Sequence, residues 1–143
     1  MKHSLAVLAV LTLAAVAVAP ASAQSTTLTA TIPFDFSAGS RALPAGDYTF
    51  GGTWSSTAVL IRNADLSSAG YVLAQPAQAP RAVVGSEAKL IFHRVGEQYF
   101  LRQILDGTRG VVRDIPMSST ERELTESAAS AKAYETVVIL ARL

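Results

Sequence analysis

Cysteine is absent from all 143 residues. That excludes disulfides, a thiol nucleophile, cysteine-ligated zinc and a lipid-modified N-terminal cysteine. Histidine is nearly absent: two occur, and one of them, His3, lies at the very start of the chain. A basic surplus is missing as well. With Lys2 set aside, the 12 Lys+Arg fall level with the 11 Asp+Glu, so the remainder is formally neutral. Nucleic-acid binding draws on a surplus of positive charge that releases counterions, and none is present in bulk. The longest apolar run, Leu5 to Ala19, falls short of the roughly 20 residues needed to span a bilayer. No internal repeat, no Gly-x-Ser-x-Gly elbow and no His-x-His pairing is present.

What the N-terminus does contain is a targeting pattern. Lys2 and His3 precede the apolar run, and Ala21-Ser22-Ala23 supplies the small-x-small site of a signal peptidase. Residues 1–23 are therefore expected to be a signal peptide cleaved before Gln24, in a bacterial style. Residues 24–143 are expected to form a single β-rich domain, exported to the periplasm or the medium. The positive mean hydropathy of +0.31 owes part of its value to the leader, so it does not argue for a membrane protein. An exported domain without disulfides is held by packing and backbone pairing alone. Its positive charges are mostly Arg, a residue suited to anion binding, although base composition of the source genome accounts for the bias more simply.

The 24–143 segment reads as strand, turn, strand. "TLTATIPFDF" places Leu28, Ala30, Ile32, Phe34 and Phe36 at period two, the pattern of a half-buried strand. Pro33 falls on its polar side and argues for an edge or a bulge, because it cannot donate to a ladder. "RALPAGDYTF" follows. Pro44 pre-sets a turn's second position and Gly46 accepts positive φ, so Leu43-Pro44-Ala45-Gly46 reads as a corner returning the chain beside its neighbour. A sortase tag needs Leu-Pro-x-Thr-Gly near a C-terminal apolar tail, and neither is here. Tyr48, Phe50 and Trp54 resume the alternation. "TAVLIRN" and "GYVLAQP" are two further strands around a turn. The irregular stretch 76–88 is the candidate flap.

"AKLIFHRVGEQYFLRQIL" is the clearest hairpin. A two-residue loop on Gly96-Glu97 fits a type II′ turn and sets Phe92 opposite Leu101 and His93 opposite Phe100. One helix is expected. Ser118 and Glu121 have the spacing of a capping box, and a thin stripe of Leu124, Ala128 and Ala131 runs to about Ala133. That helix is too weakly apolar for the core and is expected to lie across the sheet. "ETVVILARL" closes the chain as a strand.

Several of these strings together, "IPFDF", "LPAGDYT", "FHR" with "QYF", "ERELTE" and "ETVVILA", resemble a family of short exported bacterial proteins of unknown function. The resemblance covers nearly all of 24–143. It implies export and a mostly β domain with a late helix, and carries no activity, ligand or catalytic residue onto these positions.

The expected fold is thus mainly β: a small antiparallel β-barrel or β-sandwich of about seven or eight short strands with one α-helix near the C-terminus. A Ser-His-Asp hydrolase would have to use His93 with Asp106 or Asp114. A metal would need His93 and distant carboxylates. Paired acids among Asp35, Asp47, Glu97, Asp106 and Asp114 lie mostly at turns, where turn chemistry explains them. Arg94, Arg102, Arg109 and Arg113 cluster along the hairpin and the next strand, with Arg94 and Arg102 expected to share a solvent face with Glu97 and Asp114. The seven strand aromatics are expected in the core, or lining a barrel mouth that holds an apolar ligand. The leading function is an exported non-catalytic domain that binds an envelope protein or a small ligand. Neither nucleic acid nor stable membrane insertion is expected, and no residue is assigned to catalysis, a cofactor or a metal. The alternatives are a periplasmic hydrolase using His93 and a small outer-membrane β-barrel. The residues nominated for ligand contact are His93, Arg94, Tyr99 and Arg102.

Overall fold

Alternation of apolar and polar residues builds most of this protein. The computed structural model describes residues 27–52, 56–78, 84–128 and 134–143. The leader, Trp54, the middle of the 76–88 stretch and the expected end of the helix lie outside them. In chain order the strands are β1 (Leu28–Ile32), β2 (Phe36–Ala38), β3 (Arg41–Leu43), β4 (Gly46–Gly51), β5 (Ala58–Asn63) and β6 (Ala69–Leu73). They continue with β7 (Gln75–Ala77), β8 (Lys89–Val95), β9 (Gln98–Asp106) and β10 (Val111–Asp114). Helix α1 (Ser119–Ser127) and β11 (Glu135–Leu140) complete the set.

Two sheets result. The first is antiparallel in the order β1-β4-β5-β6, and the second runs β11-β8-β9-β10-β7. The β2–β3 hairpin joins the second sheet through a parallel pairing of β2 with β9. The sheets do not close into a barrel, so the sandwich-like alternative describes the molecule. Among the described residues an isolated backbone bridge joins β1 to the end of the chain beyond β11, where the Thr29 and Arg142 backbones exchange hydrogen bonds of 2.7 and 2.8 Å.

Pro33 directly follows the edge strand β1, in keeping with the edge reading, and by the parity that Thr29 fixes its missing N–H faces away from β4. The β1–β4 pairing ends at Ile32–Gly46, and the chain leaves for the other sheet. The alternation survives the crossing: Phe34 is half-buried and Phe36 buried, now within or beside the second sheet. The stretch expected as one strand is therefore two, on different sheets. A short hairpin, β2–β3, occupies "FSAGSRAL", with Gly39 at φ 59 in its two-residue loop. Leu43-Pro44-Ala45-Gly46 is indeed a corner, with Gly46 at φ 155. It returns the chain to the first sheet, where β4 pairs with β1. The corner is fastened twice: the Tyr48 hydroxyl donates to the Pro44 carbonyl at 2.7 Å, and the Ala45 N–H donates to the Asp35 carboxylate at 2.8 Å. A third crossing occurs at Ala74, between β6 and β7.

The core fills the space between the sheets. Phe36 meets Tyr48 of the first sheet edge-on, with ring centroids 5.1 Å apart, and Phe92 of the second at 5.5 Å. Phe34 meets Phe92 in the same manner at 5.3 Å. Leu28, Ile32, Phe50, Ile61, Leu90, Leu101 and Ile104 complete a single buried cluster. The β8–β9 hairpin has the expected register, with Val95 opposite Gln98, Phe92 opposite Leu101 and His93 opposite Phe100. Gly96 takes φ 62 while Glu97 does not turn positive, the signature of a type II′ loop.

Because Phe92 touches both rings of the segment that crosses from β1 to β2, Phe34 and Phe36, its truncation removes the centre of the core. Phe92→Ala is expected to cost about 3–5 kcal/mol in urea denaturation. Val138→Ala, on the exposed face of β11, should stay within about 0.5 kcal/mol of the parent protein.

Candidate functional site

The hairpin register sends the four nominated side chains in two directions. His93 and Arg94 are neighbours on β8, so they point to opposite faces. Arg94 stands opposite Tyr99, with its guanidinium 5.7 Å from the ring centre. It also reaches Glu97 at 3.4 Å and Glu135 at 3.6 Å. Tyr99 stacks on Phe34 at 3.8 Å. This is an exposed rim of mutually satisfied groups, and surface pairs of this kind contribute roughly 0–1 kcal/mol.

His93 and Arg102 converge elsewhere. The β8–β9 ladder shifts register between Ile91 and Phe92, whose partners are Gln103 and Leu101, leaving Arg102 unmatched. Such a bulge re-aims the odd side chain. Arg102 leaves the expected solvent face, shared with Glu97 and Asp114, and turns to Glu121 at 3.6 Å. Asp114 instead accepts from the Gln103 amide at 2.7 Å. Glu121 lies at the third position of α1, where its N–H donates to the Ser118 hydroxyl at 3.1 Å, so the Ser118 cap is formed. The Glu121 carboxylate faces His93 Nδ1 at 3.6 Å. His93 stacks on Tyr134 with 3.9 Å between ring centres.

Glu121 is 2% exposed and is the one buried residue on α1, so a carboxylate fills the place expected of the Leu124 stripe. Burial pushes its pKa up, against the opposing pull of Arg102 and of the Ser118 N–H. Burial pushes His93 down, and the Arg102 charge pushes it further the same way. His93 Nδ1, Arg102 Nε and Nη1 and Glu121 Oε1 make no hydrogen bond. Among the described residues no serine hydroxyl hydrogen-bonds His93, and the aspartates proposed for a triad are engaged elsewhere: Asp106 holds the Arg109 guanidinium at 2.9 Å, and Asp114 holds Gln103. Among the described residues no three His, Asp or Glu side chains gather at metal-binding spacing.

Arg113 stands apart from the arginines of the hairpin with which the sequence groups it. It is fully buried and donates to the carbonyls of Ser56 and Ala74, at the point where the chain passes between sheets.

Sequence reasoning missed a groove of about 560 Å³. One wall is the β2–β3 hairpin with Ser37, Arg41 and Ala42. The opposite wall is β6, with Tyr71 and Leu73, and the end is closed by Phe100 and the residues leading into α1. Arg41 crosses from β3 to lie against the α-carbon of Gly70, where a Cβ would collide with its guanidinium. No carboxylate lies within ion-pair reach of Arg41 among the described residues. A Gly in the midst of a strand pattern marks close approach of another group, and Gly70 was the available signal. No family model, curated protein or solved structure matches the chain.

The buried cluster gives stability a pH dependence. Folding lowers the His93 pKa below its ordinary 6.5, so the unfolded chain takes up that proton more readily. The stability His93 contributes is complete above that value and is lost as pH falls through its lowered folded pKa. Glu121, raised above 4.5, has the opposite sign, and its contribution grows as pH falls. Thermal melts should therefore show a declining melting temperature from about pH 7 toward about pH 5.5, a fall that His93→Gln flattens. An unchanged slope in that variant would place the proton uptake on another group.

Proposed function

We propose that this chain is an exported, non-catalytic binding domain of the cell envelope or medium, and that its ligand site is the groove between the β2–β3 hairpin and β6. One observation carries the reading. The groove offers a cation with no ion-pair partner among the described residues, Arg41, beside two large apolar side chains left in the open, Tyr71 at 70% and Leu73 at 68% exposure. Concavities of this size, apolar with a few polar groups, are the common form of ligand sites. Export is supported by the leader pattern of residues 1–23 and by the family resemblance.

The buried ionisable cluster fits a structural role better than catalysis. Its carboxylate is covered, its imidazole faces that carboxylate and a tyrosine ring, and both link α1 to β8 and β9. A hydrolase needs a nucleophile within hydrogen-bond reach of its base.

Protein taken gently from its own host should carry a bound mass or partner in native mass spectrometry. Ala42→Trp, which fills the groove from an exposed wall position, should remove that mass while leaving the melting temperature unchanged. Wild-type protein that is empty under the same conditions overturns the binding reading. The same spectra should give a mature chain that starts at Gln24, and a full-length mass would count against export by cleavage.

A further inference from the structure

We infer that the groove takes an extended peptide bearing a carboxylate, which adds to the first sheet as a fifth strand alongside β6. This rests on the binding reading above and names its ligand class.

The argument starts from the β5–β6 ladder. In an antiparallel pair, residues alternate between those that bond the partner strand and those whose N–H and C=O point away. The Ala74 N–H donates to Thr57 and the Asn63 N–H to Ser68, which fixes the alternation. By that parity Gly70 and Val72 bond to β5, opposite Ile61 and Val59. Ala69, Tyr71 and Leu73 turn their backbone groups to the free side. β6 is the terminal strand of its sheet, and Tyr71 and Leu73 are the residues that line the groove. The groove is thus a slot along a row of unpaired backbone donors and acceptors.

Folded proteins blunt such edges with lysines, prolines, bulges or a covering segment. β6 reads Ala69-Gly70-Tyr71-Val72-Leu73, with no charge, no proline and no register shift. Its length corresponds to about 17 Å of extended chain. A peptide added there gains main-chain hydrogen bonds, and its alternate side chains meet the exposed Tyr71 and Leu73. Charge selects among peptides. Arg41 is the one charged group lining the groove among the described residues, and its planar fork suits a carboxylate. That carboxylate is supplied either by the peptide's C-terminus or by an Asp or Glu side chain.

The test uses fluorescent random hexapeptides against the mature protein in three forms: free acid, amide, and amide with one Asp. Free-acid or Asp-bearing peptides should bind at least about tenfold more tightly than plain amides, the range of a charge-assisted hydrogen bond. Arg41→Gln should abolish that difference. The ratio between the first and third forms identifies the source of the carboxylate. Amide exchange by NMR should slow at Tyr71 and Leu73 on binding, with Gly70 and Val72 unchanged. Plain amides that bind as well as acids overturn the inference, as does discrimination that survives Arg41→Gln. If octanoate or inorganic phosphate shifts the groove resonances while no peptide protects Tyr71 and Leu73, the peptide inference falls and the binding reading stands. If no probe perturbs the groove, both fall. Concentration-dependent protection of Tyr71 and Leu73 without peptide assigns the edge to a second copy of this chain and overturns the inference.

Discussion

The architecture depends on an apolar alternation that continues while the chain changes sheet. β1 pairs with β4 as far as Ile32–Gly46, and Pro33, next to the sheet edge, begins the crossing. The next buried residue, Phe36, consequently arrives on the other sheet and lies between Tyr48 and Phe92. Pro44 begins the return, with its carbonyl held by the Tyr48 hydroxyl. Between the two prolines the β2–β3 hairpin is displaced from the first sheet. β6 is the terminal strand of the first sheet, and the groove lies between it and the hairpin.

Charge is used inside this molecule to position segments. Helix α1 has little apolar surface and sets Glu121 against the sheet, facing His93 and Arg102. Desolvating a carboxylate costs several kcal/mol, and attraction to Arg102 offsets that only in part when the contacts remain at ion-pair distance without hydrogen bonds. Such an arrangement contributes more to placement of the helix than to net stability. Arg113 serves a related purpose, donating to carbonyls from two segments where the chain moves between sheets. Arg109 closes the β9–β10 turn on the buried Asp106. Arg41, by contrast, lines the groove and has no ion-pair partner among the described residues.

The contrast between the two polar regions bears on function. The region richest in titratable groups is closed beneath α1, where burial holds His93 toward its neutral form and raises Glu121. The open region has a cation, hydroxyls, exposed apolar side chains and an unsatisfied strand edge. Recognition needs surface that a partner can reach, and the second region has it.

Sequence alone determined the features that depend on near neighbours. Period-two burial in β1, β4 and β5, the Gly96-Glu97 loop with its register, the Pro44–Gly46 corner and the Ser118 cap all follow from interactions within a few residues. The tertiary structure decided what depends on which strand lies alongside. "IPFDF" looks like one strand because alternation does not reveal a change of sheet. "SAGSRAL" gives no strand signal because three-residue strands have too little periodicity to register. Arg102 reads as a surface residue, and Arg113 as one of the hairpin's arginines, because a bulge and a sheet crossing are set by distant partners, Phe92 and Ile91 for one, Ser56 and Ala74 for the other. The groove was illegible for the same reason: its walls, Ser37 to Ala42 and Tyr71 to Leu73, are brought together by packing across the sandwich and share no local signal beyond a glycine at 70.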